Sequence, residues 1–157
     1  THDPEEAMSI CDKVAVMNDG KIHQIDTPIN LLNNPKTIFV SSFILGNNIV
    51  NLKRNGNSYS SCLGEIYCSE YLKNTGIKSM SISPKFISIK RSESDDAIVI
   101  SKEFLGEFLI YKVSINGNIL RVRTNINNLL NNGDKCSLSI NKNSHYFLYP
   151  GAYKEYI

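Results

Sequence analysis

AIVISKEFLGEFLIYKVSINGNILRVR, residues 97–123, reads as consecutive strands. Ala97–Phe104 is one apolar-alternating run, and Gly106 interrupts it at a natural bulge or bend position. Leu109–Ile115 and Ile119–Arg123 flank Asn116-Gly117-Asn118, and an Asn-Gly pair between apolar runs is a strong short-range hairpin signal. The same texture extends outward in both directions. Upstream, Ile49–Lys53 and Ser58–Leu63 flank Asn55-Gly56-Asn57, and Glu65–Ser69 can follow as a further strand. Ser79–Ile82 alternates, Pro84 breaks it, and Phe86–Ile89 alternates again. Downstream, the Gly133-Asp134 turn precedes Cys136–Ile140. Tyr146–Tyr149 is a last extended piece, and the tail after Pro150 is expected to be loosely attached. Many short strands with closely spaced turns predict a mainly β fold, a small barrel or sandwich rather than βαβ units.

The first 46 residues have a different texture. Asp3 is a good helix N-cap, Pro4 suits the first helical position, and Glu6 can complete a capping box. Ala7, Ile10, Cys11 and Val14 follow helical spacing. Lys13–Met17 and Lys21–Ile25 flank Asn18-Asp19-Gly20, another hairpin. Thr27-Pro28 begins a short helix through Leu31 and Leu32. Asn34-Pro35 begins another, with Phe39, Val40, Phe43 and Ile44 on one apolar face and Gly46 ending it. That face needs a partner, in the following domain or in another subunit.

The chain has 157 residues, 41% hydrophobic and 20% charged, which is the composition of a globular protein. A net charge of +2 is too small to argue for a nucleic-acid or anionic membrane surface. No apolar run approaches a membrane span, and no signal peptide is visible. The cysteines Cys11, Cys62, Cys68 and Cys136 have neither CxxC nor zinc-like spacing, so they are expected to be reduced, mostly buried thiols.

His2 stands just outside the first helix. Helix N-termini favour anions, and a neutral imidazole there could contact a phosphate oxygen or an attacking water. An ordinary capped helix preceded by an incidental His is the competing reading. His23, on a hairpin strand, and His145, near a turn, are expected to be structural or superficial. Asp95-Asp96 reads as a solvated loop rather than a metal site, and Glu5-Glu6 as a response to the helix dipole. Tyr59, Tyr67, Tyr71, Phe86, Phe104, Tyr111, Tyr146 and Phe147 could stack bases. Their scatter without interleaved basic clusters favours core packing.

THDPEEA followed by SICDKVAVMNDGKIHQIDTP resembles the switch-histidine loop, helix and hairpin that end the catalytic core of ABC-transporter ATPases. The resemblance runs from Thr1 to about Gly46 and is greatest to importers of polyamines, ferric iron or sugars. Pro4 and Asp26 stand where that family usually has Gln and Gly. Residues 78–90, KSMSISPKFISIK, are similar to its strand, Arg-Pro-Glu step and strand, with Ser83 and Lys85 in place of Arg and Glu. Residues 97–150, with Glu103-Phe104-Leu105-Gly106 and Leu148-Tyr149-Pro150-Gly151, resemble its TOBE domain, a small OB-like barrel.

The resemblance implies an N-terminal α/β appendage over residues 1–46, the end of a nucleotide-binding domain, and a TOBE-type regulatory domain over 47–157. It implies that His2 is the switch histidine, touching the γ-phosphate and attacking water in an intact subunit that uses ATP and Mg²⁺. The 157 residues hold no GxxxxGK[ST] loop, LSGGQ signature or acidic Walker B strand end. On its own this piece is therefore expected to bind no cofactor or metal and to hydrolyse no ATP. Implied partners are a second copy, the transporter's membrane subunits and, indirectly, an extracytoplasmic binding protein, on the cytoplasmic face of the membrane. The barrel motif inclines the substrate towards polyamine or ferric iron. The alternative is a stand-alone OB module that binds a small ligand or nucleic acid.

Overall fold

The computed structural model describes residues 1–67, 76–127 and 129–151. Cys68, Ser69, Tyr71 and the tail from residue 152 lie outside the described residues, as do the expectations attached to them.

The N-terminal part is built from α1 (Pro4–Ile10), β1 (Val14–Asn18), β2 (Lys21–Asp26), α2 (Pro28–Asn33) and α3 (Ile38–Leu45). Each helix begins with a side-chain cap: Asp3 on α1, Thr27 on α2, Thr37 on α3. The capping box on α1 does not form. Asp3 Oδ1 accepts from the amides of Glu5 and Glu6, and the Glu6 carboxylate accepts from the Thr1 hydroxyl at 2.6 Å. β1 and β2 turn through Asp19 and Gly20 at φ 48° and 72°, both left-handed as the hairpin signal requires. His23 is bulged out of this hairpin, because Val16 pairs with Gln24 and Met17 with Ile22.

Two expectations for this part need correction. Ile10 is 76% exposed and Cys11 is exposed; α1 turns Ala7 and Met8 inward instead. α3 starts after Thr37 rather than at Asn34-Pro35, because the Gln24 side chain holds the connecting loop. Its Oε1 accepts from Lys36 N at 2.9 Å and its Nε2 donates to Asn34 O at 3.2 Å. Gly46 ends α3 in the left-handed region at φ 60°.

The rest of the described chain is mainly β, as the turn spacing predicts, and forms a small OB-like barrel. β3 (Asn48–Asn51), β7 (Ser79–Ile82) and β13 (Tyr146–Tyr149) make one antiparallel sheet in the order β13-β7-β3. β8 (Ile87–Arg91), β9 (Ala97–Leu105), β10 (Phe108–Ile115), β11 (Asn118–Asn125) and β12 (Lys135–Ile140) make a second, ordered β11-β10-β9-β12-β8. β4 (Lys53–Asn55), β5 (Ser58–Ser61) and β6 (Gly64–Tyr67) form a three-stranded meander. The run expected as one strand, Ile49–Lys53, is thus divided at buried Leu52 between two sheets.

Of the two readings of Gly106, bulge or bend, the structure takes the bend. Leu105 pairs with Phe108, so Gly106, at φ 69°, and Glu107 form a two-residue reversal. The bulge falls at Ile100: Lys112 pairs with Ser101 and Val113 with Val99. Asn116 and Gly117, at φ 48° and 75°, make the expected hairpin.

One core joins all three sheets through Val50, Tyr59, Met80, Val99, Tyr111 and Val122. Tyr111 is fully buried, yet its hydroxyl is satisfied: it accepts from Leu130 N at 3.0 Å and lies 3.4 Å from Leu130 O. The barrel's two large sheets meet at Asn48. Its amide donates to Arg121 O at 2.7 Å and accepts from Arg121 N at 2.8 Å, the bonds that a neighbouring strand would supply.

β7 is buried on both faces. Met80 and Ile82 enter the core, while Ser81 meets α3, where its hydroxyl lies 2.5 Å from that of Ser41. Asn47 Nδ2 donates to both hydroxyls, and Tyr149 donates to Pro35 O at 2.9 Å. The apolar face named from the sequence packs instead within the N-terminal part, where Val40 joins Val16 and Leu31 with Phe39 and Ile44 against them, while the barrel meets α3 through Ser41. Phe43 is 42% exposed on the opposite side.

Candidate functional site

His2 is exposed beside a cleft of about 420 Å³ formed by Thr1, Asp3, Pro4, Ala7, β1 and the Phe43–Ile44 end of α3. Its position follows from the cap: Asp3 starts α1 and leaves His2 one residue outside. The anion attraction expected of the helix end is absent here. Asp3 already occupies the amides of Glu5 and Glu6, and the carboxylates of Asp3, Glu5 and Glu6 all crowd the first turn. Any contact of His2 with a phosphate or water must therefore come from the imidazole itself.

The other singled-out residues separate into structural and superficial groups. His23 Nδ1 lies 3.3 Å from Thr37 Oγ1, and its ring packs on Phe39 at 4.8 Å between centroids, so it braces β2 against α3. Asp95 and Asp96 are exposed, Asp95 accepting from Ser92 Oγ at 2.5 Å. Among the described residues no group of three or more His, Cys, Asp or Glu could hold a metal ion.

The aromatics divide, where core packing is the favoured of two readings. Tyr59 and Tyr111 are buried, but Tyr67 is 79% and Phe104 61% exposed. Tyr67 lies on the outward face of β6 and Phe104 near the β9–β10 reversal. The thiols divide too. Cys136 is buried and Cys62 half-buried, and burial pushes both up from the ordinary thiol range; Cys11 is exposed.

A second cleft, about 570 Å³, lies where α2 and α3 meet the barrel. It gathers Asn47, Ser83, Lys85, Phe86, His145 and Tyr146. By sequence, Lys85 stands where the importer family has Glu, and His145 is expected to be structural or superficial. Nothing local brings the two together, because the pairing of a turn with a distant turn is a tertiary event.

No protein-family model matches the chain. Its similarities are to ATP-binding subunits of import systems, in agreement with the resemblance to ABC importers read from the sequence. The relatives are spermidine/putrescine import ATP-binding proteins. That of Bacillus thuringiensis (strain Al Hakam) is 56% identical over 59 residues, 38% of this chain and 17% of the relative. That of Desulfitobacterium hafniense (strain Y51) is 54% identical over 50 residues, 32% of this chain and 14% of the relative. That of Trichormus variabilis is 55% identical over 49 residues, 31% and 13% respectively. The matched stretch thus spans less than a fifth of each of these relatives. Among the described residues, no helix is long and apolar enough to cross a membrane.

Proposed function

We propose that residues 1–46 complete the nucleotide-binding core of a polyamine-class ABC import ATPase and that 47–157 form its TOBE-type regulatory barrel. His2 is the switch histidine. In the intact subunit its imidazole contacts the γ-phosphate and attacking water of Mg²⁺-ATP, where positioning and charge stabilisation matter more than covalent chemistry. The subunit works as a homodimer beneath membrane permease subunits on the cytoplasmic face, supplied by a binding protein outside.

The observation that carries this reading is the 56% identity over 59 residues to a spermidine/putrescine import ATP-binding protein. A second supports it. Ile10, Met17, Ile22, Ile25 and Ile29 are each more than half exposed in the N-terminal part. Its own small cluster holds only Val16, Leu31 and Val40 as fully enclosed members. An α/β unit with this much uncovered apolar surface fits one that packs against further core.

The test grafts residues 1–157 onto the Bacillus thuringiensis relative in place of its corresponding segment. ATP hydrolysis is expected in the graft, and His2→Ala should lower kcat by about 100-fold or more with ATP binding retained. Full hydrolysis in His2→Ala would refute the assignment. Salt-dependent, micromolar binding of single-stranded nucleic acid by the chain would instead favour a stand-alone OB module.

A further inference from the structure

The cleft between α2–α3 and the barrel has a chemistry that the importer reading does not use, and it stands independently of that reading. The 3-10 turn Pro84–Phe86 forms one wall and the turn at residues 141–145 another. The two are fastened together. Asn141 N donates to Phe86 O at 2.9 Å, Ser144 Oγ to Phe86 O at 3.3 Å, and Asn141 Nδ2 to Lys85 O at 3.4 Å. Ser88 also donates to the Asn141 side chain.

This frame sets three side chains in a fixed order. Lys85 Nζ sits over the Phe86 ring, 5.0 Å from its centroid, and His145 meets the same ring edge-on at 6.0 Å. Asn47 and Ser83 add polar groups, and Leu32, Leu45 and Phe147 add apolar wall. Among the described residues, no carboxylate lines the cleft. A polycation such as a polyamine would meet the Lys85 ammonium with no opposite charge among these lining residues to offset it, so the site favours an anion. Its volume of about 570 Å³ is that of a small-molecule site, mostly apolar with a few convergent polar groups.

We propose that this cleft binds a small organic anion, an oxyanion head carried on a planar apolar body. The head faces Lys85 and His145, and the body lies against Phe86 and the Leu32–Leu45 wall. The site straddles the N-terminal part and the barrel, so an occupant would touch both.

The 157-residue chain is titrated with phenyl phosphate, benzoate, inorganic phosphate and spermidine, read by amide and histidine ring NMR shifts. Phenyl phosphate or benzoate should shift the signals of Ser83, Lys85, Phe86 and His145 saturably, and which of them does so identifies the head group. Inorganic phosphate should bind at least tenfold more weakly. Lys85→Glu, at an exposed position that leaves the fold intact, should weaken the aromatic anion at least tenfold without changing the unliganded melting curve. Three results would overturn the proposal: no saturable shift from either aromatic anion, equal affinity in Lys85→Glu, or spermidine shifting these same signals. Inorganic phosphate binding as tightly as phenyl phosphate would overturn the planar-body half of it.

Discussion

Asn48 offers a direct measurement of how the barrel is closed. The residue is 7% exposed and makes two short hydrogen bonds, 2.7 and 2.8 Å, to the carbonyl and amide of Arg121. Asn48→Ala removes both and leaves two backbone groups without partners. A net hydrogen bond contributes about 1 kcal/mol, and an unsatisfied buried group costs about 1–3 kcal/mol. β11 lies at the outer edge of its sheet, where water can re-solvate part of the loss. The expected destabilisation is therefore about 2–3 kcal/mol. At about 2–4 °C per kcal/mol for a chain of this size, the melting temperature should fall by roughly 4–12 °C. Urea unfolding should show a lower midpoint at an unchanged slope, and the Arg121 amide should lose hydrogen-exchange protection selectively. Asn48→Asp is the sharper variant: it can still accept from Arg121 N but sets an oxygen against Arg121 O, so it should cost at least as much as Ala. A loss below about 0.5 kcal/mol with the Arg121 amide still protected would refute the closure.

Four further outcomes follow from the same geometry. The Tyr149 phenol is pushed up to about 12 by burial, opposed by a hydrogen bond with Ser41. Because the folded value lies above the unfolded one, stability should be full below about pH 10 and decline towards pH 12, and Tyr149→Phe should remove that decline in alkaline unfolding curves. The Asn131 amide, then Arg91, holds the Asp134 carboxyl below its usual range. Its contribution is present above the ordinary carboxylate value and lost as pH falls through the lowered one, so Asp134→Asn should flatten that part of an acid unfolding curve. Among the described thiols, a thiol-reactive dye should label exposed Cys11 first, and labelling of Cys136 should track global unfolding. Phe43→Asp should reduce sedimentation mass if that face joins two copies; unchanged mass and stability would show that it is not an interface.

How much of this could be read in advance depended on how local the determining chemistry was. The Asp19-Gly20 and Asn116-Gly117 turns were legible because their left-handed φ angles belong to the two residues themselves. Gly106 was not, since a glycine suits a bulge as well as a reversal, and the Leu105–Phe108 pairing decides between them. The real bulge, at Ile100, carries no glycine at all. Two helix starts were legible, from Asp3 and Thr27, each with its side chain on a first-turn amide; that of α3 was not, because Asn34-Pro35 offers a start of its own and only the Gln24 bonds to Lys36 and Asn34 move it to Thr37. The inward face of α1 was not, because a seven-residue helix on a small cluster buries whichever side its neighbours cover. His2 could be placed beside a helix start from sequence alone. Its screening by Asp3, Glu5 and Glu6 was equally visible there, as three acids in one turn, and weighs against the simple helix-dipole argument.

The junction between α3 and the barrel shows why polar residues in an interface deserve as much weight as apolar ones. α3 is apolar on nearly every side, and an apolar rod on an apolar sheet could settle in several rotations. Ser41, Ser81 and Asn47 remove that freedom. Each buried hydroxyl needs its partner, and any other rotation would leave at least one unpaired at a cost of about 1–3 kcal/mol. Tyr149, fixed to Pro35 O from the last strand, adds a second polar tie on the other side of the helix start. Two ties at separate points hold an orientation, where one would permit a pivot. A shift at α3 must therefore be carried into β7 and β13, or else break these bonds, and the cleft that holds Lys85 and His145 opens beside that same joint.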